Sequence, residues 1–541
     1  MADSNTSRLC VQIIRSHFGP LTASVASTLL IRGRLPLPQL VRLTGHKPRT
    51  VLASVLALIQ HNLIWHARTE EEGEVLEVNV NECLMRLRFG RFVWLAEELF
   101  GKAASEIVQI ILDHGKLRPP DILSHLNAHE PKTVKVYTQA LQKLIALSYL
   151  KPSTILSHVS PRDKRIQYEA EEKAKIIGFP SAKEIRQAKE VAEARLRREE
   201  EEAEQVGLKR KAKDATTHRP TKRKAVEEEE LIVEDTVYFR VNFDKFNVHI
   251  RNSLIVQAAK ERYNAGASRV IQAALKVTEP SQKSVSEVRS DPMSVANIVL
   301  QLSDDEDLSS GLVFGSSKKP SNATCVKEYL GMLSSADNPT PAGRAGAFVS
   351  YTATKVQVEF ETVCRRLRRR VLESVTRERH GIEGVRIVRL LLDTGKMDEK
   401  QVSKIVMMAP KDVRPLLAAL AADSLISTQE VPKSADRNPT RTFYLWYVDL
   451  HKAYSVILGD LYKTLYNIGM RRSAEEETSE VKAVLEKRER SDVSQDESLL
   501  SRLERDILSE WEAKQKKLTV LEGRVEETMF VLKDLGVLGN E

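Results

Sequence analysis

The chain has 541 residues, with 83 Lys or Arg against 75 Asp or Glu and a formal net charge of +8. That length suggests about three to five domains, and the near balance of so many charges permits contact with nucleic acid without requiring it. No run approaches the roughly 18 apolar residues of a membrane helix. Cys10, Cys83, Cys325 and Cys364 fall at neither metal-ligand nor redox spacing, which points to a reduced intracellular compartment and away from zinc; the opening Met1-Ala2-Asp3-Ser4-Asn5 lacks the basic and apolar regions of a secretory signal.

In chain order, the first predicted unit is a block that recurs. Leu30-Ile31-Arg32-Gly33-Arg34-Leu35 returns as Leu112-Asp113-His114-Gly115-Lys116-Leu117 and as Leu392-Asp393-Thr394-Gly395-Lys396-Met397. From the Gly of each copy to Pro48, Pro131 and Pro410 the spacing is 15, 16 and 15 residues, and internal repetition of this kind decides the fold. Physically, each copy reads as a helix ended by a Gly able to take the left-handed conformation. A short second helix follows (Leu37 to Thr44 in the first copy), then a third helix opened by Pro, whose missing N–H costs nothing there. Helical spacing selects Leu52, Val55, Leu58 and Ile59, and in copy two Val134, Leu141, Leu144 and Ile145, for the core. In the first copy a hairpin follows, Ile64 to Ala67, a turn at Glu71-Glu72-Gly73, and the alternating Val75 to Val80. Three helices and a hairpin make a winged helix-turn-helix. A preceding helix is predicted to end at Gly19, Gly101, Gly266 and Gly381, and Ala104-Ser105 with Gln109 and Leu112 matches Ala267-Ser268 with Gln272 and Leu275. The better count is therefore four modules.

The expected class is mainly α with small β wings: four tandem winged helices at 1–92, 93–170, 232–354 and 355–449, then a C-terminal antiparallel helical hairpin, a coiled coil, over 450–541. Residues 171–231 are half charged and poor in large apolar groups; they read as a linker with one solvated helix (Ala182 to Gln205) and a disordered second half. Its triplets Lys209, Arg210, Lys211 and Lys222, Arg223, Lys224 have the form of a bipartite nuclear-import signal, set against the plainer reading of a solvated charge run. The third module carries an acidic, Ser-rich insertion at 303–320 in which Ser303 is a phosphorylation candidate. The fourth opens on a long helix with the basic run Arg365-Arg366 and Arg368-Arg369-Arg370. In the tail, Tyr454, Ile457, Leu458, Leu461, Leu465 and Ile468 form one apolar stripe; Leu500, Ile507, Trp511, Leu518, Leu521, Val525, Leu532 and Leu535 form a second, with Glu504, Lys514 and Thr528 as its polar positions.

No nucleotide-binding Gly loop, zinc-protease helix, nucleophile elbow or kinase signature occurs, and no catalytic or metal-ligating constellation is predicted. What remains is binding. The outward face of a third helix can meet phosphates and base edges, which selects Lys47 and Arg49, Lys132, Lys135, Gln139 and Lys143, and Lys411 and Arg414. In the first module the following Ser54 and Ala57 read as a smooth face suited to protein. Side chains suited to base-specific pairing are scarce, so salt-sensitive backbone contact is the expectation.

The segment Arg240-Val241-Asn242-Phe243-Asp244-Lys245-Phe246 followed by Arg251-Asn252 carries a resemblance, together with the tandem winged helices, the basic linker and the Phe443-to-Tyr447 strand before a helical pair. These resemble the winged-helix subunit of DNA-directed RNA polymerase III, the largest member of its initiation heterotrimer. The likeness covers essentially the whole chain and is most specific between Arg240 and Asn252. It implies a nuclear, non-catalytic subunit without its own cofactor, similar in role to general transcription factor E, which helps promoter recruitment and opening for transfer RNA, 5S ribosomal RNA and other small transcripts. The implied partners are the largest-subunit clamp, a second winged-helix subunit, a small acidic subunit and promoter DNA held non-specifically. Residues 450–535 would dock on the clamp, with Leu500, Ile507, Trp511, Leu518, Leu521 and Val525 as candidates, and the insertion at 303–320 could reach toward the cleft. The alternatives are a free-standing winged-helix transcription factor and a scaffold of the proteasome-lid or translation-initiation type.

Overall fold

The computed structural model describes the chain except residues 1–2, 70–72, 127–129, 177–180, 207, 211–230, 303–307, 309–310, 313–320, 336–345, 353–354, 433–441, 491–492, 494–498 and 538–541. It divides into two compact units, Met1–Phe246 and Asn247–Glu541. The first begins with α1 (Ser4–Arg32), kinked at Gly19, then β1 (Leu35–Pro36), α2 (Leu37–Thr44), α3 (Pro48–Gln60), β2 (Ile64–Thr69) and β3 (Gly73–Val78). The third strand stops at Val78 because the Asn79 side chain accepts from the Glu82 N–H and caps α4 (Val80–Met85), a local alternative that ends the expected strand early. Leu35 pairs with Leu76 and Ile64 with Val78, giving the order β1-β3-β2.

The second block follows: α5 (Phe89–Phe100), α6 (Lys102–His114), α7 (Pro119–His125), α8 (Pro131–Ala146) and β4 (Leu150–Pro152). The chain then leaves the sheet as α9 (Pro161–Ala174) and α10 (Ala182–Gln205), with β5 (Leu208–Arg210) paired to β6 (Leu231–Val233), before β7 (Phe239–Val241) returns. Leu150 pairs with Val241, and Leu117 bridges to Phe239. The charged segment expected as a linker therefore lies between two strands of one sheet.

The second unit takes in α11 (Phe243–Arg262) from residue 247, then α12 (Ala265–Thr278), α13 (Val295–Leu300), α14 (Asn322–Ser334), β8 (Val349–Tyr351) and β9 (Val356–Val358). Met293 bridges to Val356 and Val349 pairs with Val358. Next come α15 (Phe360–Thr394), kinked at Gly381, β10 (Met397–Asp398), α16 (Glu399–Val406), α17 (Pro410–Ala422), β11 (Ser427–Pro432) and β12 (Thr442–Tyr447), in the order β10-β12-β11. All four blocks thus share one arrangement: a residue after the Gly-ended helix, or its counterpart, lies against the last strand, which also pairs with the middle one. The third-block glycine is a correction. Gly266 sits in the first turn of α12 and ends no helix; a Cβ there would run into the Tyr329 ring, so its small size is set by packing.

The tail is α18 (Leu450–Glu476), α19 (Ser479–Arg488) and α20 (Arg502–Lys533). Ion pairs Arg472–Glu522 at 2.7 Å and Lys514–Glu475 at 3.3 Å join α18 to α20, and Lys487–Glu504 at 2.8 Å joins α19 to α20; the partners run in opposite directions, the mark of an antiparallel arrangement. Ala453, Tyr454, Ile457 and Leu532 join the core of the fourth block with Leu372, Ile387, Val388 and Leu417, so the hairpin is rooted in that block.

Candidate nucleic-acid interface

The outward third helices differ in chemistry because each buries a different set of positions. Helix α3 buries Val51, Ser54, Val55 and Leu58. Its open side carries Arg49, Leu52, Ala53 and Leu56, with Leu52 and Leu56 45% and 57% exposed. Two expectations are corrected here: Ser54 is core and Leu52 is surface, because the buried stripe is set one residue earlier, at Val51. Apolar residues on the open side oppose a phosphate-reading role for this helix. Lys47 and Arg49 are exposed at its start.

Helix α8 buries Leu141, Leu144 and Ile145 and leaves Lys132, Lys135, Gln139 and Lys143 exposed on its open side, beside Val136. Pro131 at its first turn puts the free N–H groups and Lys132 at one end, where partial positive charge favours an anion. In α17 Lys411 and Arg414 are both exposed, but Arg414 donates from Nε to Glu399 at 2.6 Å. Of the three sets of candidates, α8 offers the most cationic face.

The densest basic run is consumed internally. Arg365 pairs with Glu361 at 2.7 Å, Arg369 with Glu373 at 3.2 Å and Asp393 at 3.0 Å, and Arg370 with Glu261. Arg366 lies over the Phe348 ring, and Arg368 is buried over Tyr454. Arg251 follows the same logic. It is fully buried against Phe360, 3.7 Å from the ring centroid, and donates to Gln282 Oε1 at 2.8 Å and to the Ser284 and Val285 carbonyls. Burial holds its guanidinium down at about 10. Asn252 donates to the same Gln282 oxygen at 2.9 Å. Earlier in the same motif, Arg240 pairs with Glu82 at 3.2 Å, Asn242 donates to the Ser148 carbonyl, and Phe246 packs with Phe92 and Tyr149. The most specific sequence motif is therefore an architectural one.

A polar seam joins the first two blocks, and no sequence signal marked it. Gln60 Nε2 donates to the His114 and Lys116 carbonyls at 3.1 and 2.8 Å. Gly115, at φ +84°, lies so close that a Cβ would stand 2.5 Å from the Gln60 carbonyl oxygen. Arg86 lies over the Phe18 ring and donates to His61 Nδ1 at 2.9 Å. Burial, reinforced by Arg86, pushes His61 down to about 3, and burial lowers Arg86 to about 10. Lys116 Nζ donates to His158 Nε2 at 2.9 Å; burial, with Lys116 and Arg240, lowers His158 to about 4. Beside this seam is a cleft of about 350 Å³ whose walls include Trp65, Lys151, Lys164 and Arg240.

Of the docking candidates in the tail, Leu500 is buried, Ile507, Trp511, Leu518 and Val525 are half-buried, and Leu521 is 46% exposed. The import triplets lie outside the described residues apart from the backbone of Lys209 and Arg210 in β5. The insertion at 303–320 is described only at Leu308, Gly311 and Leu312, where the Leu308 carbonyl accepts from the Tyr329 hydroxyl at 3.1 Å; Ser303 lies outside the described residues. Among the described residues, no group of three His, Cys, Asp or Glu side chains is placed to hold a metal, and no helix is long and apolar enough to cross a membrane.

Comparison with known proteins adds to this geometry. Residues 8–67 match the family model described as the RNA polymerase III subunit RPC82 helix-turn-helix domain. Residues 372–448 match that of the POLR3C C-terminal winged-helix domain. Over its full length the chain is similar to DNA-directed RNA polymerase III subunit RPC-3 of Coccidioides immitis, 26% identical across 97% of this chain and 99% of that protein. Subunit RPC3 of Bos taurus and that of Homo sapiens are each 25% identical, with 97% of both chains covered.

Proposed function

This chain belongs to the RNA polymerase III family of winged-helix subunits, and from that premise we propose that it supports promoter recruitment and DNA opening within DNA-directed RNA polymerase III. It is a non-catalytic subunit, and the transcripts served are transfer RNA, 5S ribosomal RNA and other small RNAs. The observation that carries the reading is one sheet order used four times, in blocks whose outward helices differ in chemistry. Four modules on one polypeptide suit an assembly part that must touch several neighbours.

Other polymerase subunits are its partners. In finer detail we assign the largest-subunit clamp, a second winged-helix subunit and a small acidic subunit, with the terminal hairpin at the clamp. Promoter DNA is met at its backbone, chiefly by α8, on the strength of its exposed lysines. The working place of such a subunit is the nucleus. Affinity purification of the tagged full chain tests the reading: the large polymerase subunits should be recovered with it, and elution as a free monomer rejects it. A consensus motif emerging from a selection on random duplexes would instead favour a free-standing transcription factor.

A further inference from the structure

Helices α9 and α10 form a charged arm laid on the first two blocks. Its root is firm: Arg34 Nη2 donates to both Asp163 carboxylate oxygens at 2.9 Å, and Arg34 Nε donates to Glu77 at 2.7 Å. The outer helix is held differently. Only Ala188 and Ala192 of α10 are buried hydrophobics, and Val191 is half exposed. Ile185 and Leu196 are half-buried, and polar ties add to them: Arg195 to Glu171 at 2.7 Å, Arg195 over the Tyr168 ring at 4.2 Å, and the Tyr168 hydroxyl to Glu199. Two alanines contribute little apolar area, and exposed ion pairs weaken with salt and with competing charge. So α10 is held loosely on a firmly held neighbour.

The end of α10 forms one wall of the 350 Å³ cleft through Leu196, Glu199, Glu200 and Ala203. The rest of the lining includes Lys151, Arg240 and Trp65, with Lys164 from α9. Burial depresses the Lys164 ammonium and Arg240 adds to this, while Glu200 and Glu199 offset it. Lys151 is answered by Asp244 at 3.3 Å and Arg240 by Glu82 at 3.2 Å. The cleft nevertheless holds polar atoms with nothing to bond. Arg240 Nε and Asn62 Oδ1 are buried without hydrogen-bond partners, and Asn62 is only 5% exposed. A buried donor and a buried acceptor left open on one cavity mark a place for a ligand bearing both kinds of group.

We propose that this cleft binds a nucleic-acid strand, with a phosphate among Lys151, Lys164 and Arg240 and a base against Trp65 and Asn62, and that α10 is a detachable cover whose Glu199 and Glu200 stand where phosphates go. Cations that follow a backbone, combined with an aromatic face, form the usual platform for an unpaired strand. The site differs from the third-helix face assigned above, and it can be tried on the free chain, so its failure leaves the polymerase assignment untouched.

The probes are fluorescein-labelled oligo(dT) and oligo(rU) of about 12 nucleotides, long enough to cover one such site, with the full-length chain. Glu199→Gln/Glu200→Gln keeps the shape of the cover and an acceptor for Tyr168 but removes its charge. It should tighten binding about three- to tenfold. Lys151→Gln/Lys164→Gln should weaken binding and lower the salt slope by about one, the share of Lys164, since Lys151 already faces Asp244. Hydrogen exchange on the unaltered protein requires no variant: amides of 182–205 should exchange faster when a probe is added. Which of the two probes produces the faster exchange identifies the strand chemistry. Unchanged affinity in the Glu variant overturns the proposal. So does unchanged or slower exchange in α10 with both probes bound, the result expected if strands bind only the α8 lysines.

Discussion

His158 lies with Nε2 2.9 Å from the Lys116 ammonium, a geometry that works only while the ring is neutral and accepts. Its folded pKa is lowered from 6.5 to about 4 by burial and by Lys116 and Arg240. A His with a depressed folded pKa binds its proton more readily when the chain unfolds. The stabilisation is therefore fully present above pH 6.5 and is lost as pH falls through the interval down to about 4. His61, lowered to about 3 beside Arg86, acts in the same direction. Replacing His158 with Gln keeps an acceptor for Lys116 and removes the titration. Chemical denaturation at pH 7 and pH 5 should show that His158→Gln loses about 1–2 kcal/mol less than the unaltered chain over that interval. Equal losses would mean that His158 stays neutral in both states. No sequence pattern exposes this pair, because residues 116 and 158 meet only when the segment after Gly115 and the turn before α9 are brought together in three dimensions.

At the level of elements, legibility followed local backbone chemistry. Gly33, Gly115 and Gly395 do end their helices at positive φ, and Pro48, Pro131 and Pro410 do open the third helices, since both residues act through their own backbone. On α3 the expected Val55 and Leu58 are buried, but the first core position is Val51 and not Leu52, because Leu and Val are nearly interchangeable to a periodicity argument. The return of β7 to the second sheet was not legible either: nothing local tells a strand to pair across an excursion from Ser153 to Tyr238. The tail shows the same division. Its helices do run antiparallel, but the second stripe is uneven: Ile507, Trp511, Leu518 and Val525 are half-buried and Leu521 faces outward, while Leu465 of the first is 2% exposed. Leu465→Ala should cost about 2–4 kcal/mol in urea unfolding; Leu521→Ala should cost under about 0.5. If Leu521 is a docking contact, its variant, though stable, should recover less polymerase in affinity purification. Equal recovery would remove that residue from the docking surface.

Over the whole molecule, charge density and charge availability separate. The sequence's most basic stretch, Arg365 to Arg370, looks like a nucleic-acid surface, yet its arginines are engaged by Glu361, Glu373, Asp393 and Glu261 or lie on aromatic rings. A guanidinium already facing a carboxylate displaces no counterion from a phosphate, so it adds little to the salt dependence of binding. Lys132 and Lys135 are sparser but stand on an open helix face at a helix N-terminus. Two double substitutions in the full chain should therefore behave oppositely. Lys132→Ala/Lys135→Ala should weaken duplex binding alike for all sequences and reduce the slope of log K against log salt by about one to two, with unfolding unchanged. Arg369→Ala/Arg370→Ala should leave that slope unchanged and lower stability, because Asp393 and Glu261 lose their arginines while Glu373 keeps only Arg389. A slope that falls for the arginine pair and not for the lysine pair would move the DNA contact from the second block to the fourth and make α8 a protein-docking helix.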